Sequence, residues 1–484
     1  MRCKRTRRLS PVLCAVAVLF LAVSPVAAQR IPDHTQLKYP NLRDVAVPEV
    51  QRVTLSNGMR LFLLEDRELP LISLSGRIRV GSIYEPAEKV GLADITGEVM
   101  RTGGTMSKTG DELDDELEQI AASVETGIGQ DSGYASVSVL EEDIDRGLAI
   151  LADVLMHPAF RQDKIELAKM QHRSAIARRN DSPRSVASRE FNKLIHGPDS
   201  AYARHTEYAT IDNISRDDLV AFHKRFFGPN NMMLAVWGDF DTQEMIARIE
   251  KAFDGWEKID LDLPAKPEVD YAWRSSVNLV SRDDLNQSNI YLGHLGGRMS
   301  DPDYPALTLM NHILGGGFTG RLFKNVRSRQ GLAYSVFGTF SAQYDRPGVF
   351  SLGCQTKSES TVHAIEAIVE EVRRIVAEPV TDEELELAKD SYLNSFIFHF
   401  DSTDKIVRRL MTYEYYGYPP DFLQTTKERI EKVTKADILR AARARLRPDA
   451  LQILVVGRPE DFDRPLATLG EVRSIDVTIP PPVR

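Results

Sequence analysis

The stretch ISRDDLVAFHKRFFGPNNMMLAVWGD (Ile214–Asp239) decides the fold, because it has a counterpart at an offset of 219 residues: VTKADILRAARARLRPDALQILVVGR (Val433–Arg458). Asp218 aligns with Asp437, Leu219 with Ile438, Pro229 with Pro448 and Gly238 with Gly457. Each copy reads as a capped helix, a proline-marked turn and a buried strand, MMLAVWG or LQILVVG. The tetrapeptide ELAK at Glu166–Lys169 recurs at Glu386–Lys389, an offset of 220. Two matches at nearly one offset predict two copies of a single unit of about 220 residues. Prolines and charges in DLDLPAKPEVD (Asp260–Asp270) mark the expected connection, giving domains at 46–260 and 272–484. Strands come early and late in each half and long helices fill the middle. The fold class expected is therefore α+β, with a mainly antiparallel sheet packed against helices in each domain.

Residues 1–28 read differently. Arg2, Lys4, Arg5, Arg7 and Arg8 precede the apolar run Val12–Val23, and Ala27-Ala28 ends it. This is the pattern of a secretory signal peptide. The 12-residue apolar run is too short to span a bilayer. An exported, periplasmic or envelope-associated protein is expected, with no transmembrane segment. Cleavage after Ala28 removes five positive charges and takes the net charge from −9 to −14. That balance excludes nucleic acid as a partner, since phosphates call for a basic face. Cys3 and Cys14 fall within the signal, and Cys354 reads as a buried thiol rather than a nucleophile.

The usual hydrolase signatures are missing. A helical zinc site needs two histidines at i and i+4 with a carboxylate to activate water. No two of the ten histidines lie closer than nine residues, so neither H-E-x-x-H nor H-x-x-E-H occurs. No G-x-S-x-G elbow is present either. Asp94 and Glu98 stand at i, i+4 and read as a solvated helix face. Gly315-Gly316-Gly317 approaches a phosphate loop, but Arg321-Leu322 replaces the Lys-[Ser/Thr] that would bind phosphate and magnesium. FTGRLFKNVRSRQ (Phe318–Gln330) reads as a helix and GLAYSVFGTF as a turn and strand.

Several segments together resemble the pitrilysin/insulinase superfamily of zinc peptidases, of the mitochondrial processing peptidase type. They are VTLSNGMRLFLLED (Val53–Asp66), RVGSIYEPAEKVGLADIT (Arg79–Thr96), the paired units, and GGGFTGRLFKNVRSRQGLAYSV (Gly315–Val336). The resemblance runs from about Val53 to Gly457 and implies two homologous domains forming a clamshell-like chamber. In active members GLA is followed by H-x-x-E-H. Here that slot is Asp94-Ile95-Thr96-Gly97-Glu98, with acids at both histidine positions and Gly97 at the base position. The third-ligand glutamate of the family corresponds to the neighbourhood of Ala175. The resemblance thus implies no metal and no catalytic residue in this chain alone. It also implies a substrate-binding role for Arg327 and Tyr334 in V-R-x-x-x-G-L-A-Y, and for Gly315, Gly316 and Gly317. The expected function is that of a non-catalytic subunit of a heterodimeric exported metallopeptidase. A homologous H-x-x-E-H partner would hold the zinc, and peptides or unfolded protein would be the substrate. Two other readings stay open: an inert scaffold or binding subunit of an envelope complex, and a stand-alone hydrolase using Asp94, Glu98 and His172.

Overall fold

The computed structural model describes residues 48–270 and 273–482. The signal segment expected over 1–28 lies outside the described residues. The strands are β1 (Gln51–Thr54), β2 (Arg60–Glu65), β3 (Leu71–Ile78), β4 (Ser123–Ile128), β5 (Gly133–Leu140), β6 (Met232–Gly238), β7 (Ser276–Ser281), β8 (Gln287–Leu295), β9 (Gly297–Arg298), β10 (Ala333–Gln343), β11 (Pro347–Lys357), β12 (Gln452–Gly457) and β13 (Val472–Ser474). The helices of the first half are α1 (Leu92–Thr102), α2 (Gly110–Gln119), α3 (Ile144–Met156), α4 (Gln162–Arg178), α5 (Pro183–His196), α6 (Tyr208–Asp212), α7 (Arg216–Phe226) and α8 (Thr242–Ala252). Those of the second are α9 (Tyr304–Gly315), α10 (Thr361–Ala377), α11 (Asp382–Ser395), α12 (Thr403–Tyr416), α13 (Phe422–Lys432) and α14 (Lys435–Arg445).

The α+β class holds, with two separate sheets. The first has the order β1-β2-β6-β3-β5-β4, antiparallel except where β2 runs parallel to β6. The second has the order β13-β7-β12-β8-β11-β10-β9. Its central pairs are antiparallel, but β13–β7, β7–β12 and the short β9–β10 pair are parallel, so it is more mixed than the sequence suggested.

The two segments that opened the sequence reading take the same local structure. Ser215 accepts a hydrogen bond from the Asp218 amide to cap α7, and Thr434 accepts from the Asp437 amide to cap α14. Both boxes close reciprocally, which supplies partners for two otherwise orphaned amides. Each helix leads to a strand whose apolar run has no polar alternation. The reason is burial on both faces. In β6, Leu234 and Val236 face the main core of the first half, whereas Met233 and Ala235 face a second, smaller cluster. In β12, Ile453 and Val455 face one core and Leu454 and Val456 the other.

The helices that cover these second faces are exchanged. α12, from the second half, lays Ile406, Val407, Met411 and Tyr415 on Phe62, Leu64 and Met233 of β2 and β6. α5, from the first half, lays Val186, Ala187 and Phe191 on Leu295, Leu454 and Val456 of β8 and β12. α5 and α12 are themselves 220 residues apart, each 14 residues long. Ser182 caps α5 ahead of Pro183 at its first turn, and left-handed Gly417 (φ 75°) ends α12. Burying a large apolar side chain contributes about 2 kcal/mol, so each exchanged helix is a substantial part of the partner sheet's stability. The β4–β5 and β10–β11 turns also meet. Arg346 Nη1 donates to Asp131 Oδ2 at 2.8 Å, and Tyr415 Oη donates to the Asp131 carbonyl at 2.9 Å. Among the described residues no helix is long and apolar enough to cross a membrane.

Candidate functional site

The first candidate position is α1. Gly91 enters it in the left-handed region (φ 108°), and the Glu85 carboxylate accepts from the Gly91 and Ala93 amides at 3.2 and 2.9 Å. That carboxyl is pushed up to about 7, chiefly by burial, with the two amide hydrogen bonds opposing. Leu92, Ala93, Ile95, Val99 and Met100 face the core. Asp94 and Glu98 lie on the other side of the helix, Asp94 largely exposed and Glu98 partly buried. Burial and the Asp94 charge push the Glu98 carboxyl above its ordinary value, with His172 opposing. His172 Nε2, from α4, lies 3.5 Å from Asp94 Oδ2. Ala175, one turn further along α4, is exposed and brings no donor. Among the described residues no three His, Cys, Asp or Glu side chains are placed to hold a metal ion. Asp94 and His172 thus approach each other with Glu98 one turn along α1, a donor set with a single close pair that does not fit zinc.

Gly97 adds a steric reason. A Cβ there would lie 2.7 and 2.8 Å from the carbonyl carbon and Cα of Gly127, and closer still to the Ile128 amide. Thr126 Oγ1 also donates to the Gly97 carbonyl at 2.7 Å. The absence of a side chain lets α1 press onto the backbone of β4. The room that a glutamate would need at this position is taken up by that strand.

The second candidate position lies after α9. Gly315 packs its Cα against Gly338 of β10, and Gly316 packs against its own helix at His312. Gly317 alone of the three is left-handed (φ 62°) with open space around it. The expected single helix over Phe318–Gln330 is corrected: a 3₁₀ turn at Gly317–Thr319 is followed by a π-helix at Phe323–Arg329. The Gln330 amide bonds the Asn325 carbonyl at 3.1 Å, an i→i−5 bond, and Leu332 bonds Val326. Wide turns of this kind occur often at functional sites. The segment is anchored from below. Leu322 and Val326 are buried, and Arg321 donates to both Glu384 oxygens at 2.7 and 2.8 Å. Burial alone would raise the Glu384 carboxyl, but the Arg321 and Thr381 hydrogen bonds hold it at about 2.

On this base Arg327 lies between two rings, its Cζ 4.6 Å from the Phe323 centroid and 4.9 Å from that of Tyr334. Tyr334 is 85% exposed and Phe318, edge-on to Phe323 at 4.8 Å, is 76% exposed. The ion pairs among the described residues do not include Arg327. Its donors are therefore available to a ligand carbonyl, in the fixed fork that guanidinium provides. Tyr334 lies at the start of β10, whose outer edge pairs with β9 only at Ala342 and Gln343. Such an edge can accept an added peptide strand. A cleft of about 210 Å³ opens between α9 and α11 beside this segment, lined in part by His312, Thr319 and Lys324. The two candidate positions lie in different halves, α1 against β4 and the π-helix beside β10. Phe318 and Phe323 were not singled out in the sequence. The available signal was an aromatic residue four positions before Arg327.

Comparison with known proteins is consistent across the chain. Residues 71–196 match the family described as Insulinase (Peptidase family M16), and residues 213–392 match Peptidase M16 inactive domain. The "Uncharacterized zinc protease YmxG" of Bacillus subtilis is 24% identical over 362 residues, 74% of this chain and 87% of that protein. The "Non-peptidase homolog YmxG" of Helicobacter pylori is 24% identical over 383 residues, 77% of this chain and 86% of that protein. Among solved structures, a peptidase M16 inactive domain from Pseudomonas fluorescens superposes with a TM-score of 0.77 at 25% identity, over 85% of this chain and 98% of that one. The periplasmic protease PqqL of Escherichia coli superposes with a TM-score of 0.72 at 15% identity, over 93% of this chain and 51% of that one.

Proposed function

Because this chain belongs to the insulinase peptidases, family M16, we propose that it is a non-catalytic subunit of an exported zinc peptidase. It lends Arg327 and Tyr334 to a homologous partner that carries H-x-x-E-H. The observation that carries this reading is a guanidinium without a carboxylate partner, held beside an exposed phenol. Among the described residues no three His, Cys, Asp or Glu side chains group as they would around a metal ion, which supports placing the zinc in the partner. Zinc, bound in the partner, supplies the activated water and the Lewis acid. This chain's contribution is to hold the peptide. The peptide lies as an added strand on the β10 edge, Arg327 donates to its carbonyls, and the Tyr334 hydroxyl donates where negative charge develops. The open left-handed turn at Gly317, on the loop Gly315–Gly317, leaves space for the peptide to pass.

The test is affinity purification of the mature protein from its own cell envelope, followed by peptidase assay of the complex. An equimolar H-x-x-E-H relative with chelator-sensitive activity is the expected result. In that complex Arg327→Ala lowers kcat roughly 10²–10³-fold, as for loss of an oxyanion donor. An unchanged rate would sink the assigned role. The description of the Helicobacter relative as a non-peptidase homolog favours one second reading, an inert scaffold or binding subunit. Recovery of unrelated envelope proteins without peptidase activity would select it.

A further inference from the structure

We propose that Phe323 is a positioning residue for Arg327: its ring holds the guanidinium against Tyr334, so that the N–H fork is set before a peptide arrives. The inference rests on the substrate-holding reading of Arg327 and adds the residue that fixes it. A free arginine side chain samples many rotamers, and ordering it on binding costs affinity. Here the cation lies 4.6 Å from one ring and 4.9 Å from another. Ring faces attract a cation without consuming its hydrogen-bond donors. A carboxylate would hold the arginine too, but would occupy the fork.

The rest of the assembly suits this task. Phe323 belongs to the π-helix, whose neighbours Leu322 and Val326 are 1% and 0% exposed, so its backbone is held by the core. Phe318 packs edge-to-face on it at 89°. Yet the outer members, Phe318 and Tyr334, remain mostly in solvent. A row of three rings and one cation that buries so little contributes little to folding. Its use is to present a surface already in order.

Two measurements test the proposal on the full chain. The first reads the Arg327 Nε–Hε resonance by NMR and needs no partner. It is expected to be shifted upfield by the rings, to move toward the free-arginine position in Phe323→Leu, and to be kept in Phe323→Tyr. An Arg327 resonance already at the free position in the native chain overturns the proposal. The second reads binding of a dye-labelled unstructured peptide by fluorescence anisotropy. Phe323→Leu is expected to weaken it roughly 2–5-fold, the equivalent of one exposed cation–π contact. The same change made in an Arg327→Ala background is expected to cost nothing more. Equal losses in both backgrounds would show that Phe323 acts independently of Arg327 and would overturn the proposal. Loss with Arg327→Ala but none with Phe323→Leu would overturn it while leaving the proposed function intact. No loss with Arg327→Ala would overturn both. Phe323→Tyr, which keeps the ring, controls for simple misfolding.

Discussion

Replacing Gly97 by alanine tests whether α1 and β4 are as tightly closed as the geometry states. Two effects oppose each other. In a helix interior alanine is favoured over glycine by roughly 0.5–1 kcal/mol. Against this, the new Cβ would sit 2.7–2.8 Å from Gly127 backbone atoms, where ordinary contact begins at 3.4 Å. Relief requires β4 to move by about 1 Å to reach normal carbon contact distances. Gly127 and Ile128 are paired with Tyr134 and Gly133 of β5, so the movement strains that ladder. Overpacking of this kind costs roughly 1–3 kcal/mol, and loss of the Thr126–Gly97 hydrogen bond about 1 kcal/mol more. The clash wins, and Gly97→Ala destabilises the chain by about 1–3 kcal/mol net. Gly147 of α3 is the matched control, since its added Cβ would meet side-chain carbons of Val137 and Val139 at 3.3–3.6 Å and no backbone so close. Gly147→Ala is expected to be neutral or slightly stabilising. The assay is urea denaturation of both variants followed by far-ultraviolet circular dichroism. A Gly97→Ala variant as stable as the native chain would refute the closed seam. The functional corollary is that Asp94→His, Gly97→Glu and Glu98→His together do not restore zinc-dependent hydrolysis. A folded, active triple variant would refute it as well.

Other outcomes follow from the buried titratable groups. His223 and His294 are held down at about 4, mainly by burial, so the fold binds their neutral forms. Their stability contribution is complete above pH 6.5 and is lost as pH falls toward 4, at about 3 kcal/mol each; a denaturant midpoint that does not fall over that range refutes this. Glu85 has the opposite sign. Its pKa is raised to about 7, so its contribution is complete below 4.5 and lost as pH rises through 7. Glu85→Gln should therefore gain on the native chain as pH rises across that window, and a constant difference would count against it. Glu384→Gln leaves the buried Arg321 guanidinium without its charge partner and should cost about 3 kcal/mol; a loss under about 1 kcal/mol, the scale of a surface pair, would show that the pair is no anchor. Burial pushes the Cys354 thiol up to about 12. It should resist maleimide in the native state and react on unfolding, and rapid native labelling would contradict its placement in β11.

What the sequence revealed, and what it hid, divides by range of interaction. The capped helices α7 and α14 and the apolar strands that follow were legible because Ser215, Thr434 and the continuous runs of β6 and β12 are local signals. That those runs are apolar on both faces implied burial on both sides, but not by what. α5 and α12 advertise an apolar face without naming the sheet it meets, and each goes to the sheet of the other half. At α1 the acids at positions 94 and 98 could be read directly. The closeness of Gly97 to β4 could not, because it depends on a strand some 30 residues away. The π-helix was hidden for a similar reason: its register is set by packing of Leu322 and Val326 in the core, whereas composition alone suggests ordinary helix. Arg327 and Tyr334 carried a recognisable spacing, but the ring beneath the guanidinium did not.

The exchange of α5 and α12 also imposes a timetable. β6 completes the first sheet at Gly238, yet the helix that covers the outer side of β2 and β6 ends at Tyr416, 178 residues later. Until α12 is in place, Phe62, Leu64 and Met233 lack the cover of Ile406, Val407, Met411 and Tyr415. The N-terminal half therefore cannot finish folding ahead of the C-terminal half as an ordinary first domain would. It waits as a sheet with one greasy face, a form suited to capture by chaperones and resistant to premature closure. The last third of the chain decides when the first third becomes native.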